Sequence, residues 1–181
     1  TLTNNGGADQ YAIDSRGKTV VIANADLTQG VILWKSTDFG TTWTRLDADL
    51  FKYAPYNSKK LMTDTPFTTD GTVDVIIDAS GKVHAFWGLG RMLDTDTSDQ
   101  SYNTGDGINS MEQATYSAAS STGLPSGVST VARLGNTSCL RQPSAAIDNN
   151  GNIYCTFSVP IEQDISDLGA NFRDIGVVYS K

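Results

Sequence analysis

Apolar and polar side chains alternate along this chain in short runs, broken by joints rich in Asp, Asn, Ser and Gly. A period of two with joints this close predicts short β-strands and almost no helix. One phrase occurs three times: YAIDSRGKTVVIAN from Tyr11, VIIDASGKVHAFWG from Val75 and AAIDNNGNIYCTFS from Ala145. Each copy contains Ile-Asp-x-x-Gly, and its aspartates, Asp14, Asp78 and Asp148, stand 64 and 70 residues apart. Self-similarity at that period marks a repeated supersecondary unit. The phrase itself reads as a hairpin, in which Asp opens the turn by accepting from nearby backbone amides and Gly takes the left-handed position.

A third apolar run follows each hairpin: GVILWKS from Gly30, GINSMEQATYS from Gly107 and DIGVVYS from Asp174. The first two are followed by a fourth, TWTRLDADL from Thr42 and GVSTVARL from Gly127. Strands are expected near 8–14, 18–25 and 30–36, near 72–79, 82–88 and 110–118, and near 142–148, 152–159 and 173–180. Four antiparallel strands per repeat describe the blade of a β-propeller. The fold class expected is therefore all-β, a propeller segment of about two and three-quarter blades. Blade I would cover about 8–49, blade II about 72–134 and blade III, incomplete, about 142–181. Closed propellers use about four to eight blades, so the chain is expected to be a segment of a longer protein.

Composition narrows the partners. The chain has 181 residues, 39% hydrophobic and 18% charged, with 17 glycines and 5 prolines, which is ordinary for a globular protein with frequent turns. Its formal net charge is −7, and no basic cluster offsets it, so a phosphate backbone would be repelled and nucleic acid is an unsuited partner. No apolar run approaches the roughly 18 residues of a membrane span, and the start at Thr1 lacks a signal-peptide pattern. The chain is thus expected to be processed or cut from something longer. Two cysteines, Cys139 and Cys155, are too few for a disulfide framework and lack metal-ligand spacing.

The turn between the third and fourth strands of blade I is STDFGTTW, Ser36 to Trp43. Ser36 and Asp38 can fold onto backbone amides there, Gly40 can supply a positive φ, and Trp43 can pack on the blade. The stretch resembles the Asp-box of sialidase-like (BNR) repeats, Ser/Thr-x-Asp-x-Gly-x-Thr-Trp, matched at Ser36, Asp38, Gly40, Thr42 and Trp43. That resemblance implies a structural role at the blade periphery, away from a central site. Blade II has ATYSAASSTG at the equivalent place, without the aspartate and tryptophan. The wording of NFRDIGVVYSK and PFTTDGTVDVIIDASGKVHAFWG is also similar to large secreted Bacteroidota proteins that carry such propellers and leave the cell by the type IX secretion system. This implies a secreted or cell-surface location.

Candidate chemistry is sparse. The segment LRQPSAAID resembles the Arg-Ile-Pro of sialidases, in which the arginine clamps a substrate carboxylate; Arg141 and Pro143 match and Gln142 replaces the isoleucine. On that alternative, Arg141 binds the substrate and Asp164 or Asp167 is the acid. The motif would belong on a first blade, whereas two blades precede it here, and a proline also commonly starts a strand. The loop from Gly88 to Gly107 carries Asp94, Asp96 and Asp99, at which Ca2+ is the alternative to no cofactor; the incomplete spacing favours a solvated loop. Trp87 and Arg91 at its start would form a sugar-stacking pair, against the duller reading of a buried strand-end Trp. His84 is the sole histidine, so a triad or zinc site has no support.

The leading expectation is a non-catalytic secreted or cell-surface propeller that binds carbohydrate or protein, its further partner being the remaining blades of the parent protein. The alternatives are an exo-sialidase or related glycoside hydrolase, and a structural passenger of the secretion machinery. Cys155 is expected opposite Ser144, as a buried free thiol not paired with Cys139.

Overall fold

The computed structural model describes residues 10–57, 59–64, 66–94, 103–104, 115–116, 118–120, 127–128, 141–165 and 171–180. These residues form strands and loops, and no helix is long and apolar enough to cross a membrane. The strands are β1 (Tyr11–Arg16), β2 (Thr19–Asp26), β3 (Gly30–Ser36), β4 (Thr44–Leu50), β5 (Phe67–Ile77), β6 (Val83–Leu93), β7 (Asn103–Thr104), β8 (Thr115–Tyr116), β9 (Ala118–Ser120), β10 (Gly127–Val128), β11 (Arg141–Ile147), β12 (Ile153–Ile165) and β13 (Asn171–Ser180). Sheet I is the antiparallel meander β1-β2-β3-β4. Sheet II runs β5-β6-β7 with β9 also on β6, a two-stranded piece joins β10 to β8, and sheet III runs β11-β12-β13.

The three sheets stack face to face as consecutive blades of a β-propeller segment. Ala12, Val21, Ala23, Val31 and Leu33 of sheet I meet Val75, Ile77, Ala85 and Trp87 of sheet II. The opposite face of sheet II supplies Ile76 and Phe86 to a second core with Ile153, Cys155, Ala145, Ile147 and Val178 of sheet III. Period-two alternation explains the composition of each blade. The middle blade is covered on both faces, so Val75, Ile76 and Ile77 are all buried, whereas Tyr11 and Ile13 of β1 and Ile175, Val177 and Tyr179 of β13 are exposed.

The first strands of the sheets, β1, β5 and β11, lie side by side. Gln10 approaches Gly71 and Asp14 binds Ile77; farther round, Thr72 meets Gln142 and Asp74 binds Ala145. Numbers rise together along each pair, so the inner strands run parallel, as blades around one axis require. Two carboxylates join them. Asp14 Oδ2 accepts from the Ile77 amide at 2.6 Å, and Asp74 Oδ2 accepts from the Ala145 amide at 2.6 Å.

The repeated hairpins differ from one another. Asp78 and Asp148 open their turns as expected: Gly81 N donates to Asp78 O, and Gly151 N to Asp148 O. Each glycine takes a positive φ, +83° and +86°, producing a three-residue loop with a bulge. That loop is one residue longer than the assumed turn, so Cys155 faces Ala145 and not Ser144. Asp14 does not open a turn at all. Arg16 pairs with Thr19 around Gly17 and Lys18, and Asp14 sits within β1 opposite Val21, where the next blade takes its carboxylate.

Other strands are longer than their apolar runs. β5 begins at Phe67 because it continues through a bulge between Thr69 and Val73, and β6 and β12 extend to Leu93 and Ile165. Most of the third and fourth strands expected for blade II lies outside the described residues. Cys155 is a free thiol with no exposed surface, and burial pushes it up to about 11; Cys139 lies outside the described residues.

Asp74→Ala should lower stability to urea by about 1–3 kcal/mol, because it strands a half-buried amide, and Asp74→Asn by less. In a Cys139→Ser background, Cys155 should resist a thiol reagent at pH 8 and react fully only after denaturation.

Candidate functional site

The inner strands become irregular at one shared end. β5 breaks register between Thr69 and Val73, with Gly71 at φ +88°, and β11 breaks register between Arg141 and Ser144, with Gln142 at φ +53°. A left-handed backbone at a residue with a side chain costs on the order of 1 kcal/mol, so packing must hold it. The hydrogen bonds show how. Thr72 donates from N and Oγ1 to Asp70 Oδ1, at 2.8 and 2.7 Å, and its hydroxyl accepts from Gln142 N at 3.1 Å. Gly71 N donates to Thr69 Oγ1 at 3.1 Å. One threonine hydroxyl therefore ties the bulge of blade II to the bulge of blade III.

Together these strand ends enclose an open cleft of about 480 Å3, lined by Gln10, Asp70, Gly71, Thr72, Val73, Gln142 and Pro143. All three blades contribute to it. Bulges next to sites re-aim side chains; here they present one carboxamide, a hydroxyl and a carboxylate around one opening, and Gln10, just before β1, adds a second carboxamide. Gly88 is needed beneath it: a Cβ there would lie 2.4 Å from both Asp70 carboxylate oxygens. The arrangement suits a neutral ligand rich in hydroxyl groups, held by several ordinary hydrogen bonds. Sequence reading missed Asp70 and Thr72. The signal available was Asp-Gly inside an apolar strand run, which marks a bulge, but the strand was started two residues after that aspartate.

The turn from Ser36 to Trp43 lies away from this cleft, between β3 and β4. Ser36 Oγ donates to Asp38 Oδ1 at 2.7 Å and accepts from Gly40 N at 2.8 Å; Asp38 accepts from Thr42 N at 2.8 Å and from Thr42 Oγ1 at 2.7 Å. The Trp43 indole N–H donates to Gly40 O at 2.9 Å. Phe39 and Gly40 have φ of +58° and +85°, and Phe39 N donates to Lys18 O, fixing the turn to the first hairpin. The Thr42 hydroxyl and amide, with the Ser36 hydroxyl, hold Asp38 down to about 2. Ser36, Asp38, Thr42 and Trp43 thus spend their polar side-chain atoms on one another and on the turn's own backbone.

The remaining expected site residues scatter. Trp87 is buried within β6 in the core between sheets I and II, and Arg91 is also on β6, opposite Phe67, so neither stands in a loop. Trp87 has no free face for a sugar. Arg141 opens β11 beside the cleft, whereas Asp164 is exposed near the far end of β12. Asp167, Asp96 and Asp99 lie outside the described residues. Asp94 is buried, and its carboxylate accepts from the Tyr56 hydroxyl at 2.6 Å. Among the described residues no three His, Cys, Asp or Glu side chains gather as a metal site. His84 Nε2 lies 3.0 Å from Asp78 Oδ2; the Ser80 hydroxyl, then His84, hold that carboxylate well below the usual range.

No protein-family model matches the chain, and no curated protein matches it. Among solved structures it is similar over its whole length to a thermostable family-43 glycoside hydrolase, at 14% identity and a TM-score of 0.36. The chain spans 52% of that protein, about half its length. It is also similar to the native arabinanase Arb43A of Bacillus subtilis, at 16% identity and a TM-score of 0.29 over 97% of this chain and 73% of that one. A GH43 endo-arabinanase from Bacillus licheniformis gives 12% identity and 0.31 over 98% and 73%. Likeness this distant says nothing about activity.

The folded value of Asp38 lies below its unfolded value, so its contribution to stability is complete above about pH 4 and lost as pH falls toward 2. An NMR titration should place Asp38 near 2, and Asp38→Asn should remove part of the acid sensitivity of unfolding between those values.

Proposed function

We propose that this chain is part of a secreted or cell-surface Asp-box propeller that binds and does not catalyse, taking a carbohydrate or protein ligand at the axial cleft. The observation that carries this reading is the convergence of three inner strands, two of them bulged, on one polar opening. Exposed Gln142 and half-buried Gln10 carry amide donors and acceptors, and the Thr72 hydroxyl, whose proton goes to Asp70, adds an acceptor, a fixed frame of the kind that weak neutral hydrogen bonds need. Asp70 is the one carboxylate among the described lining residues, and it already holds its own turn. Glycoside hydrolysis ordinarily draws on two carboxyl groups. The Ser36–Trp43 turn supports the Asp-box part of the reading, since each matched residue acts on the turn itself. Remaining blades of a parent protein would cover the exposed faces of sheets I and III, and export by the type IX route would deliver the whole. No cofactor is invoked.

Calorimetry with neutral oligosaccharides tests the cleft. Gln10→Ala and Gln142→Asn should each weaken binding by about three- to tenfold, the worth of one neutral hydrogen bond; Asn is chosen because it tolerates the left-handed backbone. The enzyme reading rests on Arg141, which opens β11 at the same end. No turnover of a fluorogenic sialoside is expected, and turnover abolished by Arg141→Ala would overturn the binding reading in favour of hydrolysis.

A further inference from the structure

The connection between β4 and β5 forms a second cleft, about 360 Å3, lined chiefly by Lys52, Tyr53, Pro55, Tyr56, Lys60 and Met62. Its floor is apolar: Phe51, Met62 and Met92 are buried together, with Tyr53 and Tyr56 packed against them. Both phenols are tied back by their hydroxyls. Tyr53 Oη donates to the Asp64 carboxylate, and Tyr56 Oη donates to the buried Asp94 at 2.6 Å. Met62 N donates to Asp94 O at 2.9 Å, so the end of β6 anchors the loop. With the hydroxyls held, both rings are oriented before a partner arrives, which lowers the ordering cost of stacking on them.

Charge separates this cleft from the axial one. Lys52, Lys59 and Lys60 are three of the chain's 13 Lys and Arg residues, set against Asp64 in the loop and the buried Asp94 bonded to Tyr56, in a chain of net charge −7. Lys52 is engaged by Asp64 and lies 5.4 Å from the centre of the Tyr53 ring. Lys60, exposed at the rim, is the lining cation that Asp64 does not neutralise. An aromatic floor with one cation at its edge fits a ring that has an apolar face and carries an anion.

We propose that this cleft binds an acidic sugar residue, stacking the pyranose on Tyr56 beside Tyr53 and setting its carboxylate against Lys60. The site is separate from the axial cleft and does not rest on the function proposed for it. Trigalacturonate is the probe, with the neutral galactose trimer for comparison, titrated into the 181-residue chain by NMR and calorimetry. A dissociation constant of about a millimolar is expected for so small a ligand, with the ring protons of Tyr53 and Tyr56 shifting on titration. Lys60→Gln should weaken trigalacturonate about three- to fivefold, as should 0.5 M salt, because the ion pair is exposed and screened. Lys59→Gln, outside the lining, should leave it unchanged. Equal affinity for the neutral trimer, an equal effect of Lys59→Gln, unshifted tyrosine signals or no binding would each overturn the proposal. An acidic peptide that displaced trigalacturonate with higher affinity would overturn it too.

Discussion

A carboxylate on one inner strand that accepts from a backbone amide of the next organises the whole segment. Asp14 reaches Ile77 and Asp74 reaches Ala145, each at 2.6 Å. Apolar faces alone would hold the sheets together but allow them to slide, since the hydrophobic effect has no direction. A charge-assisted bond to an amide has one, and two such bonds set how far each blade is shifted along its neighbour. The register of the blades follows from these bonds as much as from the cores.

That shift has consequences at the open end of the axis. With Asp74 committed to Ala145, the chain before it must still reach the end of β6, and the two surplus residues are taken up in the bulge between Thr69 and Val73. The matching irregularity in β11, with Gln142 left-handed, leaves the Gln142 amide facing the Thr72 hydroxyl. The polar opening is therefore a by-product of how the blades are locked. Its lining comes from the two bulges and from the residue preceding β1.

Polar turns elsewhere are closed on themselves. The Ser36–Trp43 turn spends Ser36, Asp38 and Thr42 on one another and on its own backbone amides, and the Asp78 and Asp148 hairpins turn their aspartates onto their own amides. Self-satisfied turns of this kind keep the ends of the strands rigid without offering chemistry. The two clefts differ because they leave polar side chains, Gln142 in one and Lys60 in the other, at an opening.

What the amino-acid sequence determined by itself was local. Period-two alternation located the strands of sheet I and the hairpins of sheets II and III, and turn chemistry at Asp78, Asp148 and Ser36–Trp43 follows from residues within four positions of one another. Tertiary structure decided the rest. Asp14 shares its phrase with Asp78 and Asp148 yet performs the task of Asp74, because a neighbouring blade supplies the Ile77 amide and a two-residue turn at Gly17–Lys18 serves that hairpin instead. Trp87, expected buried at the end of its strand, lies well inside β6, which continues to Leu93 against the extended β5, and it is sheet I that covers it. Both depend on partners some 60 residues away in the chain, and a local pattern carries no information about which distant amide will claim a carboxylate or which sheet will cover a ring.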